Sequence, residues 1–336
     1  MNSRIRSHID RSVTSGLARL LGLAMACAPA AAQTFPERNL TLIVPFAAGG
    51  AADTTGRIMA DAMSKQLGQS IVVENAAGAG GATGSARGKN AAADGYTIGL
   101  GHTGTHAASV GLNPKLSYDP RKDFEYLGIV STTPNIIFVR NDLPVANLKE
   151  FVAYARTKGK DLKMGHSGVG AASHLTCVLL FQLIGVEPTY VAYRGFGQTI
   201  NDILAGAIDG SCDLVASVSG QVQGGAVKAL VVAADERSPA VPDVPTANEA
   251  GLPEFKAETW TGLYAPKGTP PAVLARLRET VTKVLAEPEV QQRFKSIGAE
   301  VPKADRQGGD YMLKLVIEEV DRWGAIVKKA GVELKP

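Results

Sequence analysis

The sequence is poor in cysteine and has no long apolar run after its N-terminal segment. Only three of the 336 residues are cysteines, and Cys27 lies in that segment. So few cysteines do not form a disulfide framework, and the chain is long enough to fold without one. We expect Cys177 and Cys212 to be free buried thiols, with a disulfide between them as the alternative.

The sequence also lacks an excess of charge once residues 1–32 are set aside. The formal net charge of the full chain is +3, and residues 1–32 contain four arginines and one aspartate. The remaining chain is therefore close to neutral. This balance gives no indication of a nucleic-acid partner or of binding to an anionic membrane surface.

The N-terminal segment has the three-part pattern of a secretory signal. Arginines come first, an apolar run at 20–28 follows, and three alanines at 30–32 precede Gln33. This order predicts cleavage after Ala32 and a periplasmic protein. A lipoprotein anchored at Cys27 is the alternative. The apolar run is well short of the roughly 20 residues that a membrane span needs.

Short runs of branched apolar residues alternate with segments of helical spacing along the rest of the chain. Strands are predicted at 40–46, 70–74, 96–100, 162–166, 189–193, 213–218 and 227–233. Helices are predicted at 52–67, 82–92, 147–157, 171–184, 199–205, 272–285 and 288–297, with a last helix through 327. This order is typical of an α/β protein with parallel strands.

Residues 33–336 exceed what one hydrophobic core usually serves, so two domains are expected. Two extended segments, 126–140 and 257–267, fit neither domain, and we interpret them as crossings. The predicted domains are 33–136 plus 258–336, and 137–257. Two crossings permit hinge closure over a ligand in the cleft. One large continuous sheet is the alternative.

Two glycine-rich connections each follow a predicted strand and open a predicted helix. They read Pro45-Phe-Ala-Ala-Gly-Gly-Ala-Ala-Asp53 and His166-Ser-Gly-Val-Gly-Ala-Ala-Ser-His174. Backbone N–H groups at such junctions lie at the positive end of the helix dipole and bind anions. Neither connection contains Lys or Arg, which favours a carboxylate over a phosphate. Asp53 either caps its helix or accepts a hydrogen bond from the ligand.

Three patterns typical of enzymes are incomplete. Gly99-Leu-Gly-His-Thr-Gly104 matches the dinucleotide fingerprint, but residues 105–114 look too short and too broken by Gly and Pro for the helix it requires. His102 and His106 would need that same helix to bind a metal together. Val169 replaces the second glycine of a nucleophile elbow. We therefore expect no enzyme, no catalytic residue, no cofactor and no metal.

Several stretches in order resemble the periplasmic solute-receptor family of tripartite tricarboxylate transporters, also called the Bug family. They are residues 35–38 with 40–53, Val-Glu-Asn-Ala-Ala-Gly-Ala-Gly-Gly at 73–81, Asp-Gly-Tyr at 94–96, Tyr-Asp-Pro-Arg-Lys-Asp-Phe at 118–124, 167–175, Asp-Val-Pro-Thr at 243–246 and Ala-Pro-Lys-Gly-Thr-Pro at 265–270. The resemblance covers nearly all of residues 33–336. It implies a type II periplasmic-binding fold with two α/β domains, two crossing strands, a cleft between them, and no catalysis.

The resemblance also implies the residues that hold a small carboxylate. These are Phe46, Ala48, Gly49 and Asp53 in the first loop and Ser167, Gly168, Ala171 and Ser173 in the second. Thr103, His106, Tyr193 and Gly195 would shape the rest of the pocket. Arg194, where the family more often has Lys, would form a salt bridge at the rim or meet a second carboxylate.

The function implied is a monomeric extracytoplasmic receptor that delivers its ligand to the membrane subunits of such a transporter. The ligand would be a di- or tricarboxylate, an acidic amino acid or an aromatic acid, and Phe46, His106 and Tyr193 together would favour the aromatic acid. Two alternatives remain at this point. One is a sensor subunit that presents its closed form to a signalling partner, and the other is a secreted hydrolase of small esters.

Overall fold

The computed structural model describes residues 35–330. The predicted signal segment, its cleavage site and Cys27 lie outside the described residues. Among the residues described, we find no helix with both the length and the apolar character that crossing a bilayer requires.

Nine strands form one mixed sheet within the described chain. They are β1 (Leu40–Val44), β2 (Ile71–Asn75), β3 (Thr97–His102), β4 (Phe124–Val139), β5 (Lys163–His166), β6 (Thr189–Ala192), β7 (Gly210–Leu214), β8 (Lys228–Val232) and β9 (Glu258–Pro266). The order across the sheet is β2-β1-β3-β9-β4-β7-β5-β6, and β8 pairs with β4. Strand β1 is parallel to β2 and β3, and β5 is parallel to β6 and β7, as the alternating pattern predicted.

The helices cover both faces of this sheet. They are α1 (Ala51–Leu67), α2 (Ala82–Lys89), α3 (Ser109–Leu112), α4 (Leu148–Lys158), α5 (Ala172–Ile184), α6 (Phe196–Leu204), α7 (Val215–Gln223), α8 (Pro271–Leu285), α9 (Pro288–Ser296) and α10 (Gly309–Ala330). Helix α1 ends where predicted, because Gly68 adopts a left-handed φ of 70° and donates its N–H to Ser64 O. Helices α8 and α9 each begin with proline, whose fixed φ suits a first turn.

The long strand β4 changes partners along its length. From Phe124 to Pro134 it pairs with β9, and from Asn135 to Val139 it pairs with β7, with β8 on its other side from Ile136. We call β1, β2, β3, β9 and the earlier part of β4 the first half-sheet, and the later part of β4 with β5 to β8 the second half-sheet. Asn135 N–H and its side chain both donate to Ala257 O, so the chain crosses twice at one place. The predicted boundaries at 136 and 257 stay a prediction.

One local strand prediction was wrong, and one segment is more helical than expected. The run 213–218 is not a strand, because β7 ends at Leu214 and Val215 begins helix α7. A short run of branched residues has no periodicity that separates strand from helix, and here packing of Val215 and Val218 into the core decides. Residues 105–114 were expected to be too short and too broken for the helix of a dinucleotide fingerprint. Gly104–Ala108 forms a π-helical turn that continues into α3, and this helical stretch ends at Leu112.

The expectation of free thiols was also wrong, because Cys177 and Cys212 form a disulfide. Cys177 lies in α5 and Cys212 in β7, with their Cα atoms 5.3 Å apart. Both are fully buried in a cluster with Phe151, Phe181 and Met164. A separation of 35 residues in sequence does not reveal this proximity, because it arises from the packing of α5 on the second half-sheet.

Candidate functional site

Two strand-to-helix loops, one from each half-sheet, meet at the carboxyl ends of their strands. Loop 1 (residues 45–50) joins β1 to α1, and loop 2 (residues 167–171) joins β5 to α5. Between them lies a small cavity of about 40 Å³. Its lining residues come from both loops, from the ends of β3 and β7, and from α6, α7 and β9: Phe46, Ala47, Gly50, Ala51, Ala52, His102, Ser167, Ala171, Ala172, Ser173, Phe196, Asp213, Leu214, Ser217 and Thr261.

Two helix N-termini converge on this cavity. Ala51 and Ala52 form the first turn of α1, which has 17 residues, and Ala172 and Ser173 form the first turn of α5, which has 13. Neither helix has a side-chain hydrogen bond from its N-cap residue. The partial positive charge at both N-termini therefore faces the same small space, which favours an anionic group there.

Loop 1 is held by a network of charged and amide groups behind it. The carboxylate of Asp53 accepts from Gly49 N–H at 3.0 Å, from Arg57 Nε at 3.0 Å and from Asn75 Nδ2 at 3.0 Å. Asn75 also donates to Phe46 O at 2.9 Å. Burial alone would raise the pKa of Asp53, but the hydrogen bonds from Arg57, Gly49 and Asn75 together lower it. Asp53 is thus ionised and reaches back to its own loop.

Loop 2 is held by neutral groups instead. Gly168 N–H donates to His166 Nδ1 and Gly170 N–H to His174 Nδ1, both at 3.2 Å, while Ser167 N–H donates to Ser173 Oγ at 3.0 Å. Burial lowers the pKa of His166 to about 4 and that of His174 to about 3. Both imidazoles are therefore neutral at pH 7 and can accept through Nδ1, with the proton on Nε2.

A histidine also accepts a hydrogen bond from a glycine N–H at the end of β3. His102 Nδ1 accepts from Gly104 N–H at 2.8 Å, and the His102 ring stacks on Phe46 with centroids 5.0 Å apart. Burial lowers the pKa of His102 to about 4. His102 therefore stabilises the turn after β3 and forms a wall of the small cavity together with Phe46.

Loops from the two half-sheets are in direct contact. Ala51 N–H, at the start of α1, donates to Ser217 Oγ on α7 at 3.2 Å. A Cβ atom at Gly195 would lie 2.9 Å from the Cβ of Ala47, and one at Gly80 would collide with the carbonyl oxygen of Val169. Glycine at these positions permits this approach, and any side chain would push the loops apart.

One buried carboxylate faces the small cavity. Asp213, near the end of β7, is only 5% exposed and accepts from Leu214 N–H at 2.7 Å, from Ser217 Oγ at 2.9 Å and from Ser167 Oγ at 3.4 Å. Burial raises its pKa to about 6, against the opposing effect of these hydrogen bonds. Asp213, Ser217 and Ala51 thus form a chain of hydrogen bonds from β7 to the start of α1.

A larger cavity of about 700 Å³ lies beside loop 2, and Ser167 borders both cavities. Its walls come from the turn after β2, from loop 2 and from the β6–α6 junction: Gly78, Ala79, Gly80, Ser167, Gly168, Val169, Ala192, Tyr193, Arg194, Gln198, Asn201 and Asp202. Tyr193 OH donates to Asp202 Oδ2 at 2.6 Å. Arg194 is the one basic side chain among these lining residues.

The structure brings half of the predicted site residues to the lining of these cavities. Phe46, Ala171 and Ser173 line the small one, Gly168 and Tyr193 line the large one, and Ser167 lines both. Gly195 is the N-cap of α6 and touches loop 1, while Ala48 and Gly49 lie on the exposed tip of that loop.

Three predicted residues lie behind the cavities. Asp53 supports loop 1, and Thr103 Oγ1 accepts from Trp260 N–H at 3.2 Å. His106 is fully buried, with its Nδ1 2.9 Å from Thr105 Oγ1 and its ring centroid 4.8 Å from that of Phe124. Phe46, His106 and Tyr193 therefore occupy three separate places and do not form one aromatic pocket.

Sequence reasoning missed several residues of the site, among them the polar residues His102, Asn75, Asp213 and Ser217. A polar residue at the carboxyl end of a parallel strand is the signal that would have found Asp213. That signal was hidden because the strand was predicted to continue through residue 218. Asn75 lies in the same position at the end of β2.

The chain is similar to a described family and to solved structures over most of its length. A model of the family described as "Tripartite tricarboxylate transporter family receptor" matches residues 55–332. The structure of periplasmic binding protein BugD has a TM-score of 0.86 and 37% identity, covering 90% of this chain and 100% of that one.

Two further structures from Rhodopseudomonas palustris contain a small dicarboxylate. MatC with bound malate has a TM-score of 0.84 and 42% identity, covering 87% of this chain and 100% of its own. Rpa4515 with adipate has a TM-score of 0.84 and 31% identity, covering 88% and 98%. These similarities confirm the predicted fold, with two α/β domains, crossing strands and a cleft between them.

Proposed function

Because the chain belongs to the receptor family of tripartite tricarboxylate transporters, as its sequence motifs indicated, we propose that it is an extracytoplasmic receptor for a small carboxylate. It binds the ligand between loops 1 and 2 and delivers it to the membrane subunits of a transporter of that type. Members of this family are solute-binding receptors and not enzymes.

The convergence of two helix N-termini on one small cavity is the observation that best supports this function. A carboxylate in that cavity would meet backbone N–H groups of α1 from one half-sheet and of α5 from the other. No Lys or Arg lines the small cavity among the residues described. Binding would therefore depend on N–H groups and hydroxyls, which suits one carboxylate better than a phosphate.

Small dicarboxylates are the first candidates for the ligand. MatC and Rpa4515 contain malate and adipate, respectively. The first carboxylate would lie between the loops, and the remainder of the ligand would extend past Ser167 toward the larger cavity. There Arg194, which has no ion pair among the described residues, would meet the second carboxylate.

The remaining parts of the proposal concern export and movement. Residues 1–32 would direct the chain to the periplasm and be removed after Ala32. The monomer would close by rotation of residues 137–257 against 33–136 and 258–336, with the hinge where β4 changes partners. The loops would separate when the ligand leaves.

A thermal-shift screen of residues 33–336 tests the ligand class. Mono-, di- and tricarboxylates, acidic amino acids and aromatic acids are each added at increasing concentration. A ligand that binds only the folded state adds about 2.7 kcal/mol of stability at 100 times its Kd. We expect dicarboxylates to raise the melting temperature. A folded protein that no carboxylate stabilises would contradict the proposal.

A glycine variant tests the position of the site. In Gly195→Ala the new Cβ meets Ala47 only when the loops touch, and the backbone there is extended, with φ of 171°, so the residue itself is not strained. We expect at least tenfold weaker binding of the ligand found in the screen. Gly220→Ala is the matched control, because its Cβ would enter open space on α7. Equal affinities of the two variants would place the ligand elsewhere.

A further inference from the structure

Asp213 places a carboxyl group beside a cavity whose surroundings favour an anion. It lies next to the end of β7, and its side chain faces the small cavity on which the N-termini of α1 and α5 converge. A carboxylate ligand in that cavity would be close to this second carboxylate. Two neighbouring carboxylates repel each other, and the repulsion is relieved by a hydrogen-bond donor between them or by protonation of one of them.

The two oxygens of Asp213 are used unequally. Oδ1 accepts from Leu214 N–H at 2.7 Å and from Ser217 Oγ at 2.9 Å. Oδ2 accepts only from Ser167 Oγ, at the long distance of 3.4 Å, among the described groups. No Lys or Arg in the described chain pairs with either oxygen. A buried carboxylate oxygen usually accepts more than one weak hydrogen bond, so Oδ2 has room for another donor.

Burial raises the pKa of Asp213 to about 6, and the hydrogen bonds from Leu214, Ser217 and Ser167 oppose that rise. Ser217 Oγ donates to Oδ1 and accepts from Ala51 N–H across the cleft. The Asp213 side chain therefore cannot rotate without breaking its hydrogen bond to Ser217. Oδ2 is thus an acceptor held in a fixed position beside the predicted ligand carboxylate.

We propose that Asp213 selects carboxylates with a hydroxyl or ammonium group on the carbon next to the carboxylate. That group donates to Oδ2, while the carboxylate itself lies at the two helix N-termini. The inference rests on the proposed function, because it assumes that a carboxylate binds between loops 1 and 2. It adds that 2-hydroxy or 2-amino acids are preferred over the same acids without a donor.

Calorimetric titration of the wild-type protein at pH 7.5 tests this preference with three matched ligands. Malate, aspartate and succinate share one four-carbon dicarboxylate chain and differ only in the donor at carbon 2. A hydrogen bond to a charged acceptor should make malate or aspartate bind about 10- to 100-fold more tightly than succinate. Which of the two is tighter identifies the hydroxyl or the ammonium as the donor. Equal affinity for all three would overturn the inference.

Asp213→Asn provides the second arm. The amide keeps the size of the side chain and removes its charge, so the malate-to-succinate ratio should fall toward one, with succinate bound as well as before or better. Asp235→Asn is the control, because Asp235 is exposed and pairs only with Lys256 at the surface. A loss of malate and succinate affinity by the same factor in Asp213→Asn would overturn the inference.

Two outcomes distinguish the inference from the proposed function. Binding of succinate as tightly as malate overturns the inference and leaves a carboxylate receptor. Binding of no carboxylate by folded wild-type protein overturns both. The wild-type comparison does not depend on any variant folding, and melting curves without ligand show whether Asp213→Asn is folded.

Discussion

Loops 1 and 2 each join the end of a strand to the start of a helix, but they are held by different chemistry. Behind loop 1 the ionised Asp53 is bonded to Arg57 and Asn75, whereas behind loop 2 the neutral His166 and His174 accept backbone N–H groups. In these two strand-to-helix loops, a carboxylate and a neutral imidazole therefore have the same role, as acceptors of backbone N–H groups. The two acceptors respond to protonation at different pH values.

The largest expected effect is a loss of folding stability at acidic pH, which comes from the buried histidines and not from Asp53. The unfolded chain protonates histidine near pH 6.5, whereas the folded His102 and His166 have a pKa of about 4 and His106 and His174 of about 3. Because the folded pKa values are depressed, stability is complete above pH 6.5 and is lost as the pH falls from there toward 4. Urea unfolding should show a loss of several kcal/mol between pH 7 and 4.5, at about 1.4 kcal/mol per unit of pKa difference.

Asp213 acts in the opposite direction over part of this range. Its folded pKa of about 6 is raised above the ordinary 3.8, so its protonation favours the folded state as the pH falls from 6 to 4. Asp53, whose pKa is lowered, loses its contribution only below 3.8. Hydrogen exchange, corrected for intrinsic rates, should show residues 167–171 opening at a higher pH than residues 45–50. Simultaneous opening would contradict the comparison.

Reduction of the disulfide should weaken the side of loop 2 selectively. The bond between Cys177 and Cys212 closes a span of 35 residues and fixes α5 on β7. Cys177→Ser with Cys212→Ser should lower the free energy of unfolding by about 3 kcal/mol. Exchange should increase in α5 and loop 2 more than in α1. A uniform change across both half-sheets would show that the bond acts only by restricting the unfolded chain.

Removal of the carboxylate should weaken loop 1 in turn. Asp53→Ala leaves Gly49 N–H and Asn75 Nδ2 without their shared acceptor, so we expect a loss of about 2 kcal/mol in urea unfolding. Asp61→Ala, on the same helix, removes an exposed pair with Arg293 and should cost less than about 1 kcal/mol. Equal losses would show that the Asp53 network has no special role.

The smallest effect concerns the imidazole behind loop 2. His174→Leu removes the acceptor of Gly170 N–H and should cost about 1 kcal/mol. In His174→Asn the side-chain oxygen takes the position of Nδ1, so part of this loss should be recovered, and the dependence of stability on pH should become weaker. If Leu and Asn cost the same, the ring is needed for packing and not as an acceptor.

The sequence predicted the parts of the fold that depend on local pattern. The two loops, the strands before them and the helix stop at Gly68 follow from glycine placement and apolar periodicity, and the structure confirms them. The branched run after Asp213 was assigned wrongly because periodicity cannot be read from so few residues. The helical turn after Gly104 was missed because its stability comes from packing of Ala107 and Ala108, not from helix propensity.

The site was less predictable because its supports are distant in sequence. Asn75 lies 22 residues after Asp53, and Ser217 lies 166 residues after Ala51. Only the sheet order places them together. His106 was expected in the pocket because it follows β3, but the π-helical turn directs it into a cluster of aromatic rings.

The chain passes from the first half-sheet to the second along β4 and returns with β9. This path also determines the order in which the two half-sheets can acquire all their strands. As synthesis proceeds from the N-terminus, β1 to β3 are made early, yet β3 must wait for β9, whose Tyr264 pairs with Gly99. The second half-sheet has all its strands by Val232. Its strands can therefore pair with one another without β9, whereas the first half-sheet has an open edge at β3 until β9 is in place. Contacts of such long range make this last pairing slow, and until it forms β3 presents unpaired N–H and C=O groups.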